Sequence, residues 1–164
     1  MEGNDIEGAV TWPVTVRGKR FPDVPKAIGN AANEAHAALG AMAPRASVAI
    51  APAVVESTAK ECGISHGLLQ AKIDELAAQG HISEPMRLAA HEIRLVGNEV
   101  VHGDLVNEPI SLDDANEVVA LMDAILERVY QEPARVARVR ASREARKKSQ
   151  AVPSGASHPP AGPD

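Results

Sequence analysis

The sequence predicts an all-α fold: a bundle of about five helices followed by a disordered basic C-terminal tail. Three observations carry this prediction. Apolar residues recur at helical spacing over most of the first 132 positions. Alanine is abundant while Trp12, Phe21 and Tyr130 are the full set of aromatic residues, a composition suited to close helix packing and poor for a sheet. Finally, Pro, Gly and Ser punctuate the periodic segments where helices start and stop.

Taken in order, residues 1–22 read as an irregular segment with room for one short strand. It contains Trp12-Pro13-Val14, the basic run Arg17-Gly18-Lys19-Arg20 and Phe21, and the two aromatic rings are expected to pack on the domain. The helical domain spans 23–132. Its first helix begins near Asp23 with Pro25 in the first turn, buries Ile28, Ala31, Ala32, Ala35, Ala38 and Leu39, and stops at Pro44. A second runs from about Arg45 to Glu61, where Pro52 removes a backbone donor and crowds the Val48 carbonyl, predicting a kink or two shorter helices. A third follows Ser65, with Leu68, Leu69, Ile73, Leu76 and Ala77 inward and Gly80 closing it. Ser83 caps a fourth, which ends at Gly103. Ser111 caps a fifth, with Asp114 completing a capping-box-like pair. Its core face is Ala115, Val118, Val119, Met122, Ile125, Leu126 and Val129, and Tyr130 to Pro133 end it. Residues 133–148 form a basic arm, helical when bound. Residues 149–164, rich in Pro, Ser, Gly and Ala, are assigned to disorder.

Charge divides the chain. Residues 1–133 hold 10 Lys and Arg against 20 Asp and Glu, a balance of −10, whereas residues 134–164 hold 7 against 2, a balance of +5. An acidic body therefore carries a basic arm. One cysteine, Cys62, excludes a disulfide framework and a cysteine zinc site and fits a reducing, cytoplasmic setting. No apolar run reaches the ~20 residues that cross a bilayer. No cofactor-binding pattern, phosphate loop or metal-ligand spacing occurs: His36, His66, His81 and His158 do not combine, and His91 and His102 lie eleven positions apart.

The most informative stretch is His91 to His102. On a helix, His91, Arg94, Asn98 and His102 share one stripe, opposite Met86, Ala89, Ile93, Val96 and Val100. The second stripe faces a core. The first should be solvated, and a solvated face normally carries Lys and Glu; two imidazoles, a guanidinium and an amide are groups that bind and protonate phosphate.

Several segments together resemble a known bacterial family. They are Asp23-Val24-Pro25-Lys26-Ala27-Ile28, Leu69 to Leu76, Gly80-His81-Ile82-Ser83, and Ile93-Arg94-Leu95-Val96-Gly97-Asn98-Glu99-Val100-Val101-His102 followed by Ile110 to Ala115. In this order and spacing they resemble domain of unknown function 4145, with its hallmark R-x-x-G-N-x-x-x-H, over roughly residues 22–132. That family looks like a branch of the HEPN superfamily. The resemblance implies a HEPN-like helical bundle that forms a homodimer. It also implies a metal-independent endoribonuclease in a bacterial or phage toxin or defence system, acting on RNA beside a protein partner or antitoxin. Asn98 and His102 match the Asn and His of the superfamily pattern. Two positions depart: Gly97 stands where its Arg is usual, leaving Arg94 one turn earlier, and Pro52 stands where family members commonly carry a basic residue.

In such a mechanism His102 exchanges the proton, Arg94 neutralises the developing phosphorane charge and Asn98 orients the phosphate, with His91 and Glu56 in support. The same residues fit a purely structural role, Asn98 and His102 holding a helix contact and Arg94 pairing with Glu56. Arg135, Arg138, Arg140, Arg143, Arg146, Lys147 and Lys148 form a phosphate-attracting arm, which equally suits folding back on the acidic body. Three function classes stay open: an RNA-directed protein, a non-catalytic interaction or nucleotide-binding module, and a DNA-contacting regulator working through the arm.

Overall fold

The computed structural model describes residues 18–103 and 109–151. Six α-helices follow one another: α1 Lys26–Gly40, α2 Pro44–Glu61, α3 Leu69–Ala78, α4 Glu84–His102, α5 Leu112–Leu126 and α6 Glu132–Ala151, with a π-helical turn, Glu127–Gln131, joining the last two. Among the described residues there is no strand. The expectations for Trp12 and for a short strand fall largely on residues 1–17, outside the described residues.

Helix α2 is the centre of the bundle and packs against α1, α3, α4 and α5. Its core-facing positions Val48, Ala51, Val54, Val55 and Ala59 recur at helical spacing and are essentially inaccessible. They meet Ala32 and Ala35 of α1, Ile73 and Leu76 of α3, Ile93 of α4, and Met122, Ile125 and Leu126 of α5. Each large apolar side chain so buried stabilises the fold by roughly 1.5–3 kcal/mol. Phe21 packs against this core as expected, whereas Leu68 is 83% exposed, because α3 starts one residue after it and Leu68 only flanks the helix. Ser111 caps α5 as read from sequence, its Oγ accepting from the Asp114 N–H at 3.0 Å.

Pro52 lies inside α2, which is one helix from Pro44 to Glu61 and not two shorter ones. Pro133 does not end the fifth helical course. The Glu132 N–H bonds to the Glu127 carbonyl, five residues back, and the chain continues straight into α6. A widened turn placed just before the proline relieves the crowding its ring would impose on an ordinary α-helix. Ser149, Gln150 and Ala151, expected to be disordered, belong to α6, while 152–164 lie outside the described residues.

Helix α6 packs on no other helix of the bundle among the described elements. Its root is instead fixed by ion pairs. Arg138 donates to both carboxylate oxygens of Asp23 at 2.8 and 3.0 Å, and Arg135 to Glu127 at 2.6 Å. Val136, Ala137 and Arg140 flank Gly80 and His81 across an open cleft, and α6 extends past them.

Candidate functional site

All four residues of the sequence-predicted stripe lie on α4, but the structure separates their roles. His91 is mostly buried, 15% exposed, with its Nε2 2.9 Å from Asp74 Oδ1 on α3. Arg87 donates to the same Asp74 oxygen at 2.7 Å and to Glu84 at 2.7 and 2.8 Å. The His91 ring and then the Arg87 guanidinium hold the Asp74 carboxyl below its usual range. His91 thus belongs to a network tying α3 to α4, and it is not grouped with Arg94 and His102 as a reserve acid or base.

Arg94 is half-buried, and its Nε is fully covered with no hydrogen-bond partner. It does not pair with Glu56. That carboxylate accepts from Lys72 at 2.7 Å and Lys60 at 2.9 Å, and the two ammonium groups, Lys72 first, pull its pKa below the ordinary value. Lys72, with its side chain 5% exposed, is a buried cation whose charge Glu56 answers.

Asn98 and His102 are exposed, and among the described residues neither makes a hydrogen bond. Arg94 and His102 share a helix side but lie eight residues apart, which is about 12 Å along the axis and about 80° around it. Their Cα atoms are therefore more than two helical turns apart. A different guanidinium reaches the His102 end. Arg45, in the first turn of α2, donates its Nη1–H to the Val100 carbonyl at 3.0 Å, capping the last turn of α4. Sequence reasoning passed over Arg45; its signal was a cation at the start of a helix running antiparallel to α4.

The two positions that depart from the expected patterns, Gly97 and Pro52, meet in the structure. Gly97 is buried at the crossing of α2 and α4, and a Cβ placed on it would overlap Pro52 Cγ and lie 3.1 Å from Pro52 Cδ. It would also sit 3.6 Å from the Val48 carbonyl, the one that Pro52 leaves without its helical donor. Gly97 and Pro52 thus face each other, and the backbones of α2 and α4 approach closely at this point.

Of the arm, Arg135 and Arg138 are held by body carboxylates. Arg140, Arg143, Arg146 and Lys147 are exposed, make no ion pair with another described residue and fall within roughly a 120° arc of α6. Lys148 lies off that arc. Because α5 runs antiparallel to α4, α6 leaves the bundle beside Gly80 and His81, at the end opposite His102. Among the described residues no three His, Cys, Asp or Glu side chains come together to hold a metal ion. No helix among them is long and apolar enough to cross a membrane.

Residues 33–143 match the family described as Domain of unknown function (DUF4145). The chain belongs to this family. The match runs from the middle of α1 into α6, so the root of the arm is part of the DUF4145 domain. Comparison with curated proteins and with solved structures gives no match.

Proposed function

We propose that this chain is an RNA-binding helical module whose contact element is the cationic face of α6. One observation carries the reading: the arm's cations are sorted. Arg135 and Arg138 are used to fix the helix root, while Arg140, Arg143, Arg146 and Lys147 are presented on one solvent face of a helix extending past an acidic body. An acidic body repels a polyanion, so strand contact is confined to α6. The choice of RNA over DNA rests on the resemblance to the HEPN superfamily, as does a toxin or defence setting with a protein partner. The lone Cys62 is consistent with a cytoplasmic location.

The same geometry argues for binding without strand scission by a single protomer, since Arg94 and His102 are two helical turns apart. A homodimer that brings Arg94 of one copy to His102 of the other would restore a catalytic arrangement. The exposure of Leu88 and Leu95 beside that stripe, 54% and 40%, favours such pairing as a second reading.

Titration of labelled single-stranded RNA, duplex RNA and DNA of equal length with the full chain tests the proposal. Binding to RNA should weaken steeply with salt and collapse when Arg140, Arg143, Arg146 and Lys147 are replaced by Ala. Retention of affinity in that variant would overturn the assignment of α6. Equal affinity for DNA would overturn the choice of RNA.

A further inference from the structure

Two helices of this chain present outward rows that match each other in spacing and oppose each other in charge. The first row runs along α4: Leu88, Glu92, Leu95, Glu99 and His102, at i, i+4, i+7, i+11 and i+14, within roughly an 80° arc. Leu88 and Leu95 are 54% and 40% exposed, and Glu92 and Glu99 are exposed and make no ion pair with another described residue. The second row runs along α6 at the same five spacings: Val136, Arg140, Arg143, Lys147 and Gln150. Val136 is 50% exposed, and Val139 beside it 67%.

Setting Val136 against Leu88 brings the rest into register. Arg140 then meets Glu92, Lys147 meets Glu99, and the aliphatic stem of Arg143 lies over Leu95. The rows do not meet within one chain. Helix α6 leaves the bundle beside Gly80 and His81, just before the start of α4, and packs on no other helix of the bundle among the described elements.

We propose that, in the absence of RNA, α6 of one copy docks along α4 of a second copy, the two copies exchanging arms about a two-fold axis. Such an axis, placed across the end where α6 leaves, runs each α6 parallel to the α4 it meets, the direction in which the rows register. The contact strip is about 21 Å long and one helix wide. Even doubled by symmetry it is at the small end of specific interfaces, so the pair is a transient one that salt weakens. The cations that hold it are those α6 offers to a strand, so a second copy and RNA compete for one face. That competition rests on the reading of α6 as the RNA-contact element; the docking does not.

Sedimentation of the full chain without RNA, across the micromolar range, tests the docking. A reversible monomer–dimer equilibrium is expected, weaker at high salt. Arg140→Glu with Arg143→Glu and Lys147→Glu should lower the association constant about tenfold or more, because like charges then face each other. Glu92→Arg with Glu99→Arg should do the same. All five positions are exposed, and circular dichroism checks that both variants fold. Mixing the two variants should restore association, since every contact in the mixed pair again joins opposite charges. A chain that stays monomeric, a dimer indifferent to the α6 reversal (as when α4 pairs with α4), or no recovery in the mixture would overturn the docking. RNA added to the natural dimer should release monomers. RNA bound to an intact dimer would overturn the competition, and a chain that dimerises as described without binding RNA would overturn the RNA reading alone.

Discussion

Replacing Gly97 with Ala puts one methyl group into the crossing of α2 and α4. In an ordinary helix interior this substitution stabilises by about 1 kcal/mol, because Ala is the better helix former. Here the added Cβ overlaps Pro52 Cγ and sits 3.1 Å from Pro52 Cδ. The pyrrolidine ring is closed onto its own backbone and cannot swing away, so the helices must part. Overpacking of this kind costs about 1–3 kcal/mol, leaving a net loss of about 1 kcal/mol. For a domain of this size that lowers Tm by roughly 2–4 °C. Urea unfolding followed by circular dichroism measures it, with Pro52→Ala as the second arm of a double-mutant cycle. Pro52→Ala removes the ring and returns an N–H to the Val48 carbonyl, so Gly97→Ala should become neutral or stabilising in that background. If Gly97→Ala is already stabilising in the natural chain, or the two substitutions are additive, the account of the crossing is wrong.

Other expectations follow from the same geometry. Glu56→Gln should destabilise by about 2 kcal/mol in urea unfolding, since it strands the buried Lys72 ammonium, while Lys72→Met, which removes that charge, should cost less. Because the folded Glu56 carboxyl titrates below its ordinary value of 4.5, its contribution is complete above that pH and is lost as pH falls through the lowered value. The natural chain should accordingly lose more stability on acidification than Glu56→Gln, and parallel curves would refute the ion pair. The logarithm of RNA affinity against the logarithm of salt should have a slope near −3 for single strands, about four phosphates contacted. Arg140→Ala with Arg143→Ala should roughly halve it; an unchanged slope would count against α6. Incubation with RNA in EDTA should leave the strand intact. Cleavage abolished by His102→Ala, and by Leu88→Glu with Leu95→Glu, would instead establish the dimeric catalyst.

Helix order and core were legible because periodicity survives in single positions: Ile73, Leu76, Ile93 and Met122 were read as inward and are sealed. What failed was local rules meeting a tertiary remedy. Pro133 breaks a standard helix, yet a π turn just before it absorbs the strain, and nothing in Glu127–Gln131 announces that turn. The stripe on α4 was legible as a helix face, but not what each member touches. His91 meets Asp74 from α3, and Arg45 reaches Val100 from α2, through contacts that span 17 and 55 positions. Pairings at such separation leave no trace in spacing. The Lys19–His36–Asp123 cluster was missed for the same reason, its members being 87 and 104 positions from Asp123.

The π turn also sets the phase of everything after it. One residue inserted into or deleted from a helix rotates the distal part by about 100° about its axis. A deletion within Glu127–Gln131 that restored plain α geometry would swing Arg140, Arg143, Arg146 and Lys147 to a new bearing without altering a single one of them. It would also pull Arg138 away from Asp23. The five residues between α5 and α6 therefore act as an azimuth setting, fixing the direction in which the arm's charge points.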